Sequence, residues 1–116
     1  MFKKSLVSLS AGIVMLGALS VAPASAATLE STYSGSFSKD WELYAASSDK
    51  KSTITYGYNT SWINEDYVWA NHSTKEHYGS LYNGAWHAAP SKSATVLSKV
   101  EVVHKAASTN RYQCNW

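Results

Sequence analysis

From Leu29 to Leu43 the odd positions read Leu, Ser, Tyr, Gly, Phe, Lys, Trp and Leu, while every even position is polar. A period of two is the mark of a strand with one face in water. Gly35, in mid-run, predicts a bend that makes two short strands of one long segment. The alternatives are an unstructured start and, over Trp41 to Ala46, a helical turn. Ile54, Tyr56 and Tyr58 share one side of a further run, Thr53 to Asn59, and Tyr67 and Trp69 share a face of the next, Tyr67 to His72. The segment between them, with Asn59-Thr60-Ser61 and Asn64-Glu65-Asp66, reads as a connection of local side-chain hydrogen bonds.

Asn83-Gly84 supplies the residues that a two-residue type I′ turn demands, which predicts a hairpin of His77 to Tyr82 with Ala85 to Ala89. That turn sets Tyr82 opposite Ala85 and Leu81 opposite Trp86, with the Leu81 and Trp86 side toward the core. Ala94 to Lys105 reads as one long strand, with Ala94, Val96, Val100 and Val102 on one side. Helix is its rival, and the β-branched valines favour strand. Tyr112, Cys114 and Trp116 share a face of a docked C-terminal strand. Six or seven short strands separated by turn signals predict an all-β fold, a small antiparallel β-sandwich.

Residues 1–26 stand apart from this pattern. Lys3 and Lys4 precede an apolar run from Leu6 to Val21, followed by Pro23 and Ala24-Ser25-Ala26, the form of a secretory signal peptide cut after Ala26. Ser8, Ser10, Gly12, Gly17 and Ser20 interrupt the run, which is short for a membrane anchor. The expected product is therefore a secreted, extracellular domain of residues 27–116 with no integral membrane segment. Such a small domain buries about 60 to 65% of its unfolded surface, and the single cysteine, Cys114, can form no internal disulfide. Aromatic burial takes that place: five Trp, eight Tyr and two Phe occur, all but Phe2 beyond Ala26.

Without Lys3 and Lys4, the formal charge of +2 becomes neutral. A neutral domain lacks the phosphate-directed attraction that nucleic-acid binding needs, and its net charge gives it no pull toward an anionic membrane. No nucleophile with a base and no paired carboxylates stand at a recognisable spacing, so an enzyme is not expected. Cys114 reads as a small buried hydrophobe, with an intermolecular disulfide as its functional alternative. The gap between His72 and His77 could close around zinc, but the rest of a ligand set is missing, and no metal or other cofactor is expected. Binding residues are sought instead among the Trp, Tyr, Asn and His between Trp62 and Trp86, which can stack on rings and direct hydrogen bonds. The candidates are Trp62, Tyr67, Trp69, His72, His77 and Trp86. Trp62, in a connection, is the aromatic expected to be most exposed.

One resemblance joins these features. Thr53-Ile54-Thr55-Tyr56-Gly57 with Ser61, the cluster His72-Ser73-Thr74-Lys75-Glu76-His77, Gly84-Ala85-Trp86-His87-Ala88 and the aromatic C-terminal tail, in this order, resemble the lactococcin 972 family of secreted bacteriocins. The similarity covers Ser52 to Trp116. It implies a β-sandwich without bridges that arrests related bacteria at the cell envelope, with the cell-wall precursor lipid II as the suggested target. An immunity or export partner is implied as well. The chain departs from that pattern in the extension Ala27 to Lys51, in Asn59 and in Cys114. A non-toxic extracellular module that recognises polysaccharide or a partner protein is the alternative function.

Overall fold

The computed structural model describes residues 7–10, 27–61, 63–105 and 109–116. Among them nine strands follow in order: β1 (Val7–Ser10), β2 (Thr28–Tyr33), β3 (Trp41–Ala46), β4 (Ser52–Asn59), β5 (Glu65–His72), β6 (Tyr78–Tyr82), β7 (Trp86–Ala88), β8 (Ser98–Val103) and β9 (Asn110–Asn115). They form two sheets, ordered β1-β2-β9-β6-β7 and β3-β4-β5-β8, with every pairing antiparallel. The fold is an all-β sandwich. Of the expected leader only Val7–Ser10 lies among the described residues, and its backbone pairs with the edge of β2.

The alternation read from the sequence sorts Ile54, Tyr56, Leu81, Val100, Tyr112 and Cys114 into the core, whereas in β5 it is Val68 and Ala70 that face inward and Tyr67 and Trp69 outward. Ile54 and Tyr56 of β4, Val68 and Ala70 of β5 and Val100 of β8 pack against Leu29, Leu81, Tyr112 and Cys114 of the other sheet. The Tyr56 and Tyr112 rings stack between the sheets with centroids 4.7 Å apart, an arrangement that adds about 0.5–1.5 kcal/mol to the area they bury. Cys114 is fully buried, as a small hydrophobe would be, and burial pushes its thiol up to about 11.

The extension Ala27 to Lys51 is part of this core. It contributes β2 to one sheet and β3 to the other, with Ser34 to Asp40 crossing between them. Trp41 stacks on Tyr33 at 3.9 Å and meets Tyr56 and Tyr112 edge-on. Residues Ser52 to Trp116 are therefore not a self-contained unit. Trp41–Ala46 is strand and not a helical turn, because its inward residues Trp41, Leu43 and Ala45 pair with Tyr58, Tyr56 and Ile54.

Three expectations are corrected. The hairpin exists, but Tyr82 pairs with Trp86 and Leu81 with His87, one residue away from the expected register. Only Gly84 has positive φ there, at 103°, and the turn is three residues long. The cause is Asn83, whose side chain turns inward to donate to Asp66 instead of serving a type I′ turn. That shift sends Trp86 outward. The long strand over Ala94 to Lys105 contracts to β8, because Thr95 takes φ 70° in a turn tied by Thr95 N–H to the His72 carbonyl at 2.9 Å. Asp66, expected in a connection, lies within β5 on its inward face and is fully buried.

Candidate functional site

The outward face of the β3-β4-β5-β8 sheet collects side chains that alternation keeps out of the core. Across the strands one row reads Tyr44, Thr55, Trp69 and Lys99, and the next Glu42, Gly57, Tyr67 and Glu101. Tyr44 is 65% exposed and Trp69 is partly exposed, two strands or about 9.5 Å apart. The Trp69 indole N–H donates to Glu101 Oε2 at 2.8 Å, and the Lys99 ammonium rests 4.7 Å from the ring centroid. Such a contact contributes only about 0.5–1 kcal/mol at an exposed site, so Lys99 is a cover that a stacking ligand can displace.

Tyr67 does a different job. Its ring crosses over Gly57, which has no side chain to obstruct it, and its hydroxyl donates to Glu42 Oε2 at 2.8 Å. Burial first, and that bond to a carboxylate second, push the phenol above its ordinary range. With 9% of its surface exposed, Tyr67 sets the positions of Trp69 and Glu42 more than it offers its own ring. Beside it lies an open depression of about 430 Å³ lined by Asp40, Trp41, Glu42, Tyr58, Asn59 and Tyr67. Glu65 completes an acidic margin, its carboxyl raised by burial and then by repulsion from Glu101. The face thus presents aromatic rings ringed by hydrogen-bond acceptors.

Beneath the same end of β5, on its inward side, a second set of polar groups gathers around a buried carboxylate. Asp66 accepts from His104 Nδ1 at 2.8 Å, from Asn83 Nδ2 at 2.9 Å and from the Lys105 backbone N–H at 3.1 Å. Because Asn83 Nδ2 also donates to the Val103 carbonyl, its Oδ1 is left to accept from His87 Nε2 at 3.1 Å. The buried carboxylate therefore sets the orientation of two histidines at once. A cavity of about 550 Å³ adjoins it, lined in part by His87, Glu101, Val103 and Lys105.

The expected binding residues do not converge. Tyr67 and Trp69 meet on the outward face. Trp62 lies outside the described residues. Trp86 is on the outer side of the other sheet, with the Arg111 guanidinium 5.2 Å from its ring and Tyr82 at 5.3 Å. His72 and His77 are buried, at 2% and 1% exposure, and their nitrogens serve the backbone. His72 Nδ1 accepts from the N–H groups of Thr74 and Lys75, and His77 reaches the carbonyls of Lys75 and Val96. Among the described residues no three His, Cys, Asp or Glu side chains are grouped to hold a metal ion. The residues that sequence reasoning passed over are Tyr44, Glu42, Lys99 and Glu101. Only the pairing of β3 and β8 to their neighbours brings these beside Trp69.

The two hydrogen bonds accepted by His72 require its neutral ring, and burial, followed by the neighbouring His77, holds its pKa below the ordinary value. An unfolded histidine takes its proton near pH 6.5, before the folded one does, so this contribution to stability is present above that pH and is lost as pH falls below it. The melting temperature should accordingly drop between pH 7.5 and 5. In His72→Asn, whose side-chain oxygen can accept the same N–H groups without titrating, the drop should be smaller; equal slopes for the two proteins would contradict the assignment.

No family model matches the chain, and no curated protein or solved structure does.

Proposed function

We propose that the protein is a secreted antibacterial protein that binds a glycan-bearing component of the bacterial cell envelope through the outward face around Trp69. The observation that carries this reading is the row Tyr44, Thr55, Trp69 and Lys99 above Glu42, Tyr67 and Glu101. Aromatic rings stack on the apolar faces of sugars, and carboxylates and hydroxyls receive or give the hydrogen bonds of the ring substituents. The carboxylates of Glu42, Glu65 and Glu101 disfavour a bound phosphate. Where lipid II is the target, the contact falls on its sugars and peptide and not on its pyrophosphate.

The resemblance to the lactococcin 972 bacteriocins supports the antibacterial part, and the face supports the envelope-binding part. Trp69→Ala should weaken binding to soluble peptidoglycan fragments by about thirtyfold or more, the loss of an aromatic anchor, and abolish growth inhibition of related bacteria. Because Trp69 is only partly buried, the melting temperature should change little. Unaltered binding by a folded Trp69→Ala protein removes the face from the site. Glycan binding by the parent protein without growth inhibition would establish the non-toxic extracellular module instead.

A further inference from the structure

We infer that the end of the sandwich formed by turns 47–51, 73–77 and 91–97 docks on an anionic lipid surface. These turns come from three separate connections and are tied into one platform. Ser73 N–H donates to the Lys51 carbonyl at 2.8 Å, His77 and Lys92 exchange backbone hydrogen bonds at 3.0 and 2.8 Å, and the Val96 carbonyl lies 2.7 Å from His77 Nε2. From this platform Lys50, Lys51, Lys75 and Lys92 extend into solvent. The acidic groups among them are Asp49, which accepts from Ser47 and the Lys51 N–H, and Glu76, which accepts from Ser91. Four exposed ammonium groups against two carboxylates, both engaged locally, make this end positive, although residues 27–116 are neutral as a whole. Neutral net charge conceals the segregation.

On the same platform, Val96 and Leu97 are exposed at 46% and 42%. They follow Thr95, a β-branched residue held at φ 70°, a conformation that costs on the order of 1–3 kcal/mol and persists only where neighbours impose it. Here the His72 carbonyl and the His77 ring impose it, and the outcome is a rigid turn with two aliphatic side chains at its tip. An aliphatic tip that shares its platform with four lysines matches the acyl boundary and the negative headgroups of an anionic bilayer. Tyr44 and Trp69 stand two and three residues from the ends of their strands at this platform, roughly 7–10 Å along the strands from those ends, on the side where interfacial aromatic residues would follow the tip. Among the described residues no helix is long and apolar enough to cross a membrane. The contact is peripheral.

This inference does not depend on the glycan reading, and the experiment separates them because the vesicles carry no sugar. The processed protein recovered from culture medium, or the full chain where no processing occurs, is sedimented with phosphatidylcholine vesicles and with vesicles that also contain phosphatidylglycerol. Binding is expected only to the second kind and should fall steeply as salt is raised. Combining K50Q, K51Q, K75Q and K92Q should weaken it by about fivefold per lysine, and V96S with L97S should weaken it at every salt concentration. All six side chains are exposed, so circular dichroism should be unchanged; were the lysine variant to misfold, the salt series on the parent protein decides. Equal partition onto both kinds of vesicle, no partition onto either, or retention on a soluble polyphosphate that V96S with L97S leaves unaltered would overturn the proposal.

Discussion

Asp66→Ala should cost the domain about 3–5 kcal/mol, the range for removing one partner of a buried charged network. The carboxylate is fully buried and receives hydrogen bonds from His104, Asn83 and the Lys105 backbone. Its removal leaves three donors facing a methyl group in a place water cannot easily reach, and each unmade bond carries the desolvation cost of its donor. In a domain this small each 1 kcal/mol lowers the melting temperature by about 4–8 °C, so a fall of more than about 12 °C is expected. Asp66→Asn is the sharper test. It keeps the shape but turns an amide toward Asn83 or Lys105, which already donate, and it should lose most of the same stability. Wild-type melting of either variant would show that the network is not a structural tie.

Gly57→Ala should produce the second large loss, although it adds a single carbon. A Cβ at this position would collide with the Trp41 carbonyl oxygen and lie 2.7 Å from the Tyr67 hydroxyl oxygen. The tyrosine can swing away, but the carbonyl belongs to the backbone of the neighbouring strand, and no rotamer relieves that contact. Overpacking of this kind costs about 1–3 kcal/mol, and here it also unseats Tyr67 from Glu42. The expected result is a melting temperature lower by about 10 °C together with weakened binding of peptidoglycan fragments. Retention of both properties would mean that the sheet has slack at this point.

The strands were legible because one face of each is buried. Ile54, Tyr56 and Tyr58 in β4, and Tyr112 and Cys114 in β9, announce their inward side by alternation alone. What failed was whatever depended on a single side chain acting across the sandwich. Asn83 looks like a turn residue in sequence, and nothing local reveals that Asp66, 17 positions earlier, will claim its amide and shift the register of the hairpin. Asp66 resembles a loop residue for the same reason, since its charge is satisfied by partners from two distant segments, at Asn83 and at His104 and Lys105. The candidate site was half legible. Tyr67 and Trp69 share a face by spacing, but Tyr44, Lys99 and Glu101 join them only through strand pairing, and no local pattern encodes which strands become neighbours. His72 and His77 were drawn to the site by chemistry that their burial commits elsewhere.

The place of Cys114 gives the molecule an internal clock. It is the sole sulfhydryl of the chain, wholly enclosed, on a strand flanked on both sides by others and facing the Asn71 carbonyl of the opposite sheet. A thiol reagent reaches it only when the two sheets part or β9 separates from β2 and β6. Its rate of modification therefore reports openings of the core at one defined residue. The same enclosure shields this thiol from oxidants in the folded protein: a covalent dimer through this sulfur can arise only from molecules whose cores have first opened.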